Sequence, residues 1–295
     1  MTRHTDNKLG RRDFLRILGS SGIGVIASLA ARSLPRLFAA GGESYRLLVV
    51  GDSLIWGQGL KESEKIYSLV AEWLGSEVLR GDRRVELLVK AHSGSTLKFH
   101  PEDAEKYKRI GRDETYPYHP EINVAMPSIW KQIEVAAEEY KLAGSRGADL
   151  IIMSGGLPDL SVERILDPKG KDAKLRADIQ RYCHDDMLDG LRLAAERHPD
   201  ATIAVIGYFT MVSPMTSSSK LLNGWLESMS FPRFLKPFLN NPVVRAVYFK
   251  GISRKVQSRS KIWFEESSRA LSQAVDDLNR ERDTMRAVFV PSPIT

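Results

Sequence analysis

A single cysteine, Cys183, stands among 295 residues. The chain therefore cannot form an internal disulfide, and its stability must come from a packed core. Long hydrophobic runs are also missing. The most extended apolar stretch, residues 17–31, is diluted by glycine and serine, and its 15 residues fall short of the roughly 20 a membrane span needs. No repeat or low-complexity tract interrupts the chain. An excess of one charge sign is also missing once position is considered. The chain holds 43 basic and 37 acidic residues, but seven of the basic and two of the acidic lie in residues 1–40, leaving 36 against 35. The basic balance belongs to the N-terminus and gives no support for nucleic-acid binding.

That N-terminus reads as an address. Gly10-Arg11-Arg12-Asp13-Phe14-Leu15-Arg16 resembles a twin-arginine export signal, with Arg11, Arg12, Phe14 and Leu15 in register. The apolar stretch and the small residues Ala39-Ala40-Gly41-Gly42 follow, in the basic, apolar, small order of signal peptides. Cleavage near Ala39 or Ala40 puts Leu37 or Phe38 three residues upstream, so an uncleaved membrane tether stands as the alternative. The expected address is periplasmic or secreted, with the twin-arginine translocase as partner. A lone cysteine suits a protein that folds in the cytoplasm before export.

Beyond residue 40, short apolar runs alternate with helical patterns. Strands are expected at 45–50, 85–90, 149–153, 201–208 and 287–290. Helices are expected at 63–79, 128–143, 172–198 and 262–282, and a long polar loop at 98–120. Such alternation implies a parallel sheet covered on both faces, here with five strands. Residues 213–261 break the pattern. They carry nine basic residues and one acidic, with Trp225, Phe231, Phe234 and Phe238. This insertion reads either as a lid or lipid-headgroup surface or as a helical hairpin with solvated lysines.

Three short blocks fall at three expected strand ends: Gly51-Asp52-Ser53-Leu54, Ala91-His92-Ser93-Gly94-Ser95-Thr96 and Ser154-Gly155-Gly156-Leu157-Pro158-Asp159. In a parallel sheet these loops share the carboxyl edge, where ligands bind. Gly51 permits a sharp exit from the strand. Ser53 then stands either as a nucleophile or, with Asp52, as a helix cap. The arrangement resembles the SGNH/GDSL hydrolases, esterases and lipases of flavodoxin-like three-layer α/β/α fold. The resemblance implies Ser53 as the nucleophile. It also implies the Ser53 and Gly94 amides as donors to the oxyanion of acyl transfer, without cofactor or metal.

Two departures qualify the resemblance. Pro158 stands where the family has an asparagine that donates to the oxyanion, and proline has no donor at all. The family's Asp-x-x-His block follows its last strand, whereas residues 291–295 here read Pro-Ser-Pro-Ile-Thr. The expectation is low or absent turnover by residues 41–295 as they stand, since a serine without a base is a poor nucleophile. Among the histidines, His92 is expected to cap or underlie its loop. His100 and His119, with Glu102 and Asp103, lack metal-ligand spacing. His184 is expected on a solvated face, and His198 as a cation at a helix C-terminus.

Three readings follow. The first is an exported serine hydrolase acting on lipid, acetyl-glycan or small esters. The second is a non-catalytic envelope binding protein that keeps the fold. The third, a dinucleotide-binding domain, is poorly served by Gly57-Gln58-Gly59, which lacks the third glycine and does not begin at the strand end.

Overall fold

The computed structural model describes residues 44–212 and 242–293. Residues 1–40, where the export signal is expected, and residues 213–241 of the basic stretch lie outside them. Five strands form one sheet: β1 (Ser44–Val50), β2 (Arg84–Val89), β3 (Leu150–Met153), β4 (Thr202–Ile206) and β5 (Ala287–Val290). Their order is β2-β1-β3-β4-β5, with every neighbouring pair parallel. This is the flavodoxin-like order, in which the strand sequence reverses direction between β1 and β3.

The strands alternate between two cores, as the two-residue period requires. Leu48, Val50, Ile151, Met153, Ile203 and Val205 face the larger core. Tyr45, Leu47, Val49, Ile152 and Ala204 face the smaller one. β1 is the second strand of the sheet and is buried on both sides, with Leu47 to Val50 wholly inaccessible. That is why it reads as an unbroken apolar run rather than an alternating one.

On the smaller face lie α1 (Ser53–Trp56) and α2 (Ile66–Trp73). The larger face is covered by α4 (Ile129–Leu142), α8 (Met187–Arg197) and α9 (Pro242–Arg282). The short α5 (Leu157–Leu160) and α6 (Val162–Leu166), with α7 (Asp172–Ile179), add Leu160, Ile165, Leu175 and Ile179 to the larger core, and α3 (Pro101–Lys108) follows the β2 exit.

Four elements differ from expectation. The helix expected over 63–79 is α2, with a 3-10 turn before it (Glu62–Glu64) and a π-helical segment after it (Leu74–Val78). The polar loop expected over 98–120 contains α3. It has Pro101 at its start, Glu102 and Asp103 in the first turn and Lys106 and Lys108 in the last, so each end complements the helix dipole. The helix expected over 172–198 is divided: a π-helical segment, Gln180–Asp186, separates α7 from α8. The last helix begins at Pro242, twenty residues before the expected 262, so the basic stretch 213–261 is not one surface insertion. Its Arg259 is 2% exposed and donates to the carbonyls of Arg164, Ile165 and Gly170 while pairing with Asp172 at 2.9 Å. Lys255 pairs with the same carboxylate. These two cations hold α9 to the α6–α7 turn instead of facing solvent. No helix among the described residues is long and apolar enough to cross a membrane.

His198 also corrects an expectation. It ends α8, but it is fully buried, its Nδ1 accepts from Ala148 N at 3.3 Å, and its ring meets Tyr140 edge-on. Burial pushes its pKa down to about 4, so the ring is neutral and contributes no cation to the helix end. The unfolded chain binds a proton near pH 6.5 that the folded chain refuses. The stability from His198 is therefore complete above pH 6.5 and drains as pH falls toward 4, by up to about 3 kcal/mol. Urea unfolding between pH 7.5 and 4.5 is expected to show this decline, and His198→Gln should remove that part of it. An equal slope in the two proteins would refute the assignment.

Candidate active site

The first block leaves β1 through Gly51, at φ +147°. A Cβ there would lie 2.5 Å from Ser154 Oγ and 2.6 Å from Ile55 Cγ2, so only glycine fits. The peptide of Gly51 is held from below by Gln132 of α4, itself 1% exposed. Gly51 N donates to Gln132 Oε1 at 2.7 Å, and Gln132 Nε2 donates to Gly51 O at 3.2 Å and to Ser95 Oγ at 2.9 Å. His92 N also donates to Gly51 O, at 3.0 Å. One buried amide thus fixes the exits of β1 and β2 together.

Asp52 points inward and is fully buried. Its carboxylate accepts from Ser154 Oγ at 2.8 Å, from the Tyr208 hydroxyl at 2.6 Å and from Leu54 N at 3.0 Å. Burial raises its pKa, opposed by these three donors. The Tyr208 hydroxyl in turn accepts from Leu157 N at 3.2 Å. The ends of β1, β3 and β4 therefore meet on one carboxylate. Asp52 fills the capping role foreseen for the turn, which leaves Ser53 free for another.

Ser53 opens α1 and is partly exposed. Its carbonyl accepts from Gly57 and Gln58. Its hydroxyl and its backbone N–H have no partner among the described residues, and neither does the N–H of Gly94. Gly94 has φ +84°. These are the two amides expected to face an oxyanion.

The third block crosses to the second. Asp159 is buried against the β2 exit loop, where both carboxylate oxygens accept from Leu97 N and Oδ1 meets His100 Nε2 at 3.0 Å. Burial raises the Asp159 pKa, and the bond to Asp159 raises that of His100. Pro158 lies within α5 and presents no donor. His92 underlies its loop as expected: it is 3% exposed, its Nδ1 lies 3.0 Å from Ser93 O, and burial depresses its pKa. No histidine among the described residues hydrogen-bonds Ser53. His184 departs from expectation, because its Nε2 meets Asp277 of α9 at 3.0 Å and Nδ1 meets Asp185 at 2.7 Å. It clasps two helices rather than lying on a free solvated face. Among the described residues no group of three or more His, Cys, Asp or Glu is placed to hold a metal.

A fourth segment, invisible in the motifs, closes the outside of the site. Residues 119–125 pair with the second block: Ser93 N donates to Pro120 O, Val124 N to Ser93 O and Thr96 N to Ala125 O. Glu121 ties the same segment to the turn after Ser53. Its carboxylate accepts from Trp56 Nε1 at 2.5 Å and Gly59 N at 2.8 Å, and its carbonyl accepts from Gln58 Nε2. Those bonds, Gly59 first, pull the Glu121 pKa down. Lys65 completes the clasp, its ammonium 3.3 Å from the Trp56 ring centre.

Tyr208→Phe isolates the shared carboxylate. It deprives Asp52 Oδ2 and Leu157 N of one partner each while keeping the ring packed on Trp263. Leaving buried groups unpaired costs about 1–3 kcal/mol. Urea unfolding at pH 7 should show a lower midpoint with an unchanged slope; an unaltered midpoint would mean that Tyr208 does not hold these ends together.

No family model matches the sequence, and no curated protein matches it. Among solved structures, an extracellular lipase from Streptomyces rimosus is similar at 13% identity, over 84% of this chain and 81% of that one, with a TM-score of 0.43. A phospholipase A1 from Streptomyces albidoflavus NA297 is similar at 10% identity, over 83% and 78%, with a TM-score of 0.38. A carbohydrate acetylesterase from Sinorhizobium meliloti is similar at 14% identity, over 83% and 84%, with a TM-score of 0.37. The substrates in those names belong to those proteins; the flavodoxin-like fold of this chain stands on its own strand order.

Proposed function

We propose that the chain is an ester hydrolase of the SGNH/GDSL type with Ser53 as nucleophile, acting on lipid, acetyl-glycan or small esters. The observation that carries the reading is the separation of roles at the β1 exit. Asp52 takes the capping bond and is locked in a buried network, while the Ser53 hydroxyl and N–H have no partner among the described residues. The site sits where strand order reverses between β1 and β3, the position at which open α/β sheets bind ligands. Attack by Ser53 Oγ on an ester carbonyl would place negative charge on the carbonyl oxygen. The N–H groups of Ser53 and Gly94 would then receive it without reorganisation.

The Ser53 hydroxyl has no basic partner among the described residues, so slow turnover is part of the proposal. The full chain should hydrolyse p-nitrophenyl acetate only slightly faster than buffer, and Ser53→Ala should abolish the excess. A fluorophosphonate should label Ser53, as read by peptide mass. Hydrolysis that survives Ser53→Ala, or a label on another residue, overturns the assignment. The unpaired hydroxyl also favours a second reading, a binding protein for acylated or glycosylated envelope material. Retained glycan or lipid binding with no label at Ser53 would select it.

The export reading is proposed on Arg11 and Arg12 within the twin-arginine pattern. Changing both to lysine should leave the precursor in the cytoplasmic fraction. Undiminished extracytoplasmic protein in that variant would exclude the twin-arginine route.

A further inference from the structure

We infer that the side-chain amide of Asn123 is a donor to the oxyanion formed at Ser53. The inference rests on Ser53 being the nucleophile. It starts from the conformation of Gly94. At φ +84° the open side of that residue faces the 119–125 segment, where a Cβ would collide with Asn123 Oδ1 and lie 2.7 Å from Val124 N. The Asn123 amide is thus packed directly against the candidate oxyanion glycine, and the absence of a side chain at position 94 is what lets it approach.

The placement is fixed from both sides. Pro120 O and Val124 N bond the backbone of Ser93, immediately before Gly94. Glu121 bonds Trp56, Gln58 and Gly59, the turn that begins with Ser53. Asn123 therefore lies on a short bridge between the nucleophile's turn and the Gly94 loop. Yet neither end of its amide has a partner among the described residues, and the side chain is exposed. A half-turn of the amide exchanges Oδ1 and Nδ2. No hydrogen bond among the described residues holds the amide against that turn, so an anionic oxygen beside Gly94 would draw Nδ2 toward it.

Chemistry supplies the reason for such a donor. When Ser53 Oγ bonds a carbonyl carbon, the electron pair of the C=O moves onto oxygen. Two backbone amides are available there, and Pro158 offers no third. Losing one donor of this kind typically lowers turnover by roughly a hundred- to a thousand-fold.

Diisopropyl fluorophosphate on the full chain tests this without requiring turnover. Ser53 Oγ bonds phosphorus, the P–F bond breaks, and fluoride and the hydroxyl proton leave to water. The phosphoryl oxygen then occupies the oxyanion position. Asn123→Ala and Asn123→Asp are expected to slow labelling by about a hundred-fold, with unchanged melting by circular dichroism. In the wild-type protein the Asn123 side-chain NH2 resonance should move on labelling. Wild-type labelling rates in both variants, or an unmoved Asn123 resonance in the labelled protein, overturn the inference while leaving Ser53 as nucleophile. A protein that takes no label at Ser53 overturns the nucleophile assignment and the Asn123 donor with it.

Discussion

The edge of this sheet depends on one buried carboxylate. Asp52 accepts from a serine after β3, a tyrosine after β4 and the backbone of its own turn. An ionised carboxylate without partners could not be tolerated at full burial, where desolvation costs several kcal/mol. The three donors are therefore a condition of the fold as well as of the site. Each also fixes the end of a different strand. Tyr208 goes further, since its hydroxyl donates to Asp52 and accepts from Leu157 N, coupling the β3 exit to the β4 exit through one oxygen.

Around that carboxylate the polar groups divide by burial. Gln132, Ser95 and Ser154 are inaccessible and fully engaged with backbone or with Asp52. Ser53 and Gly94 are partly exposed and Asn123 is exposed, with donors that have no partner among the described residues. The division follows from the cost of leaving polar groups unpaired in the interior, which does not apply where water can reach them. A ligand at Ser53 would replace water and break no protein hydrogen bond. A rigid floor of satisfied groups beneath a rim of unsatisfied ones is the arrangement that positions donors without reorganisation.

The strands were legible because a parallel sheet covered on both faces demands continuous apolar runs, and Leu47-Leu48-Val49-Val50 and Leu150-Ile151-Ile152-Met153 supply them. The three loop blocks followed, since parallel strands put their exits on one edge. What escaped the sequence was set by long-range contact or by charge. Gln132 and Tyr208 lie in ordinary helix and loop sequence, and only packing reveals that they meet Gly51 and Asp52. The polarity of 101–108 conceals a helix whose signals are Pro101 and its charge order. The helix rule suggested a cation at His198, but burial outweighs a dipole effect worth about 1 kcal/mol or less at most surface sites. Arg259 falls within a basic stretch of sequence, and nothing local shows that three carbonyls and a carboxylate await it.

The bridge over 119–125 gives the polar stretch after β2 a structural purpose. Its prolines and charges give it no strand or helix pattern over residues 119–125. It is held by backbone pairing to the Gly94 loop and by one carboxylate, Glu121, that bonds an indole and a backbone amide of the Ser53 turn. Glu121 is accessible to water, so its bonds contribute little to global stability. Their effect is local: they set the distance between two loops that arise from neighbouring strands but share no direct bond at Ser53 and Gly94. The separation of those two amides is thus governed on the inside by Gln132, which holds Gly51 and Ser95, and on the outside by Glu121. A change at Glu121 would act on the outer tie alone, whereas a change at Gln132 would also loosen the exits of β1 and β2.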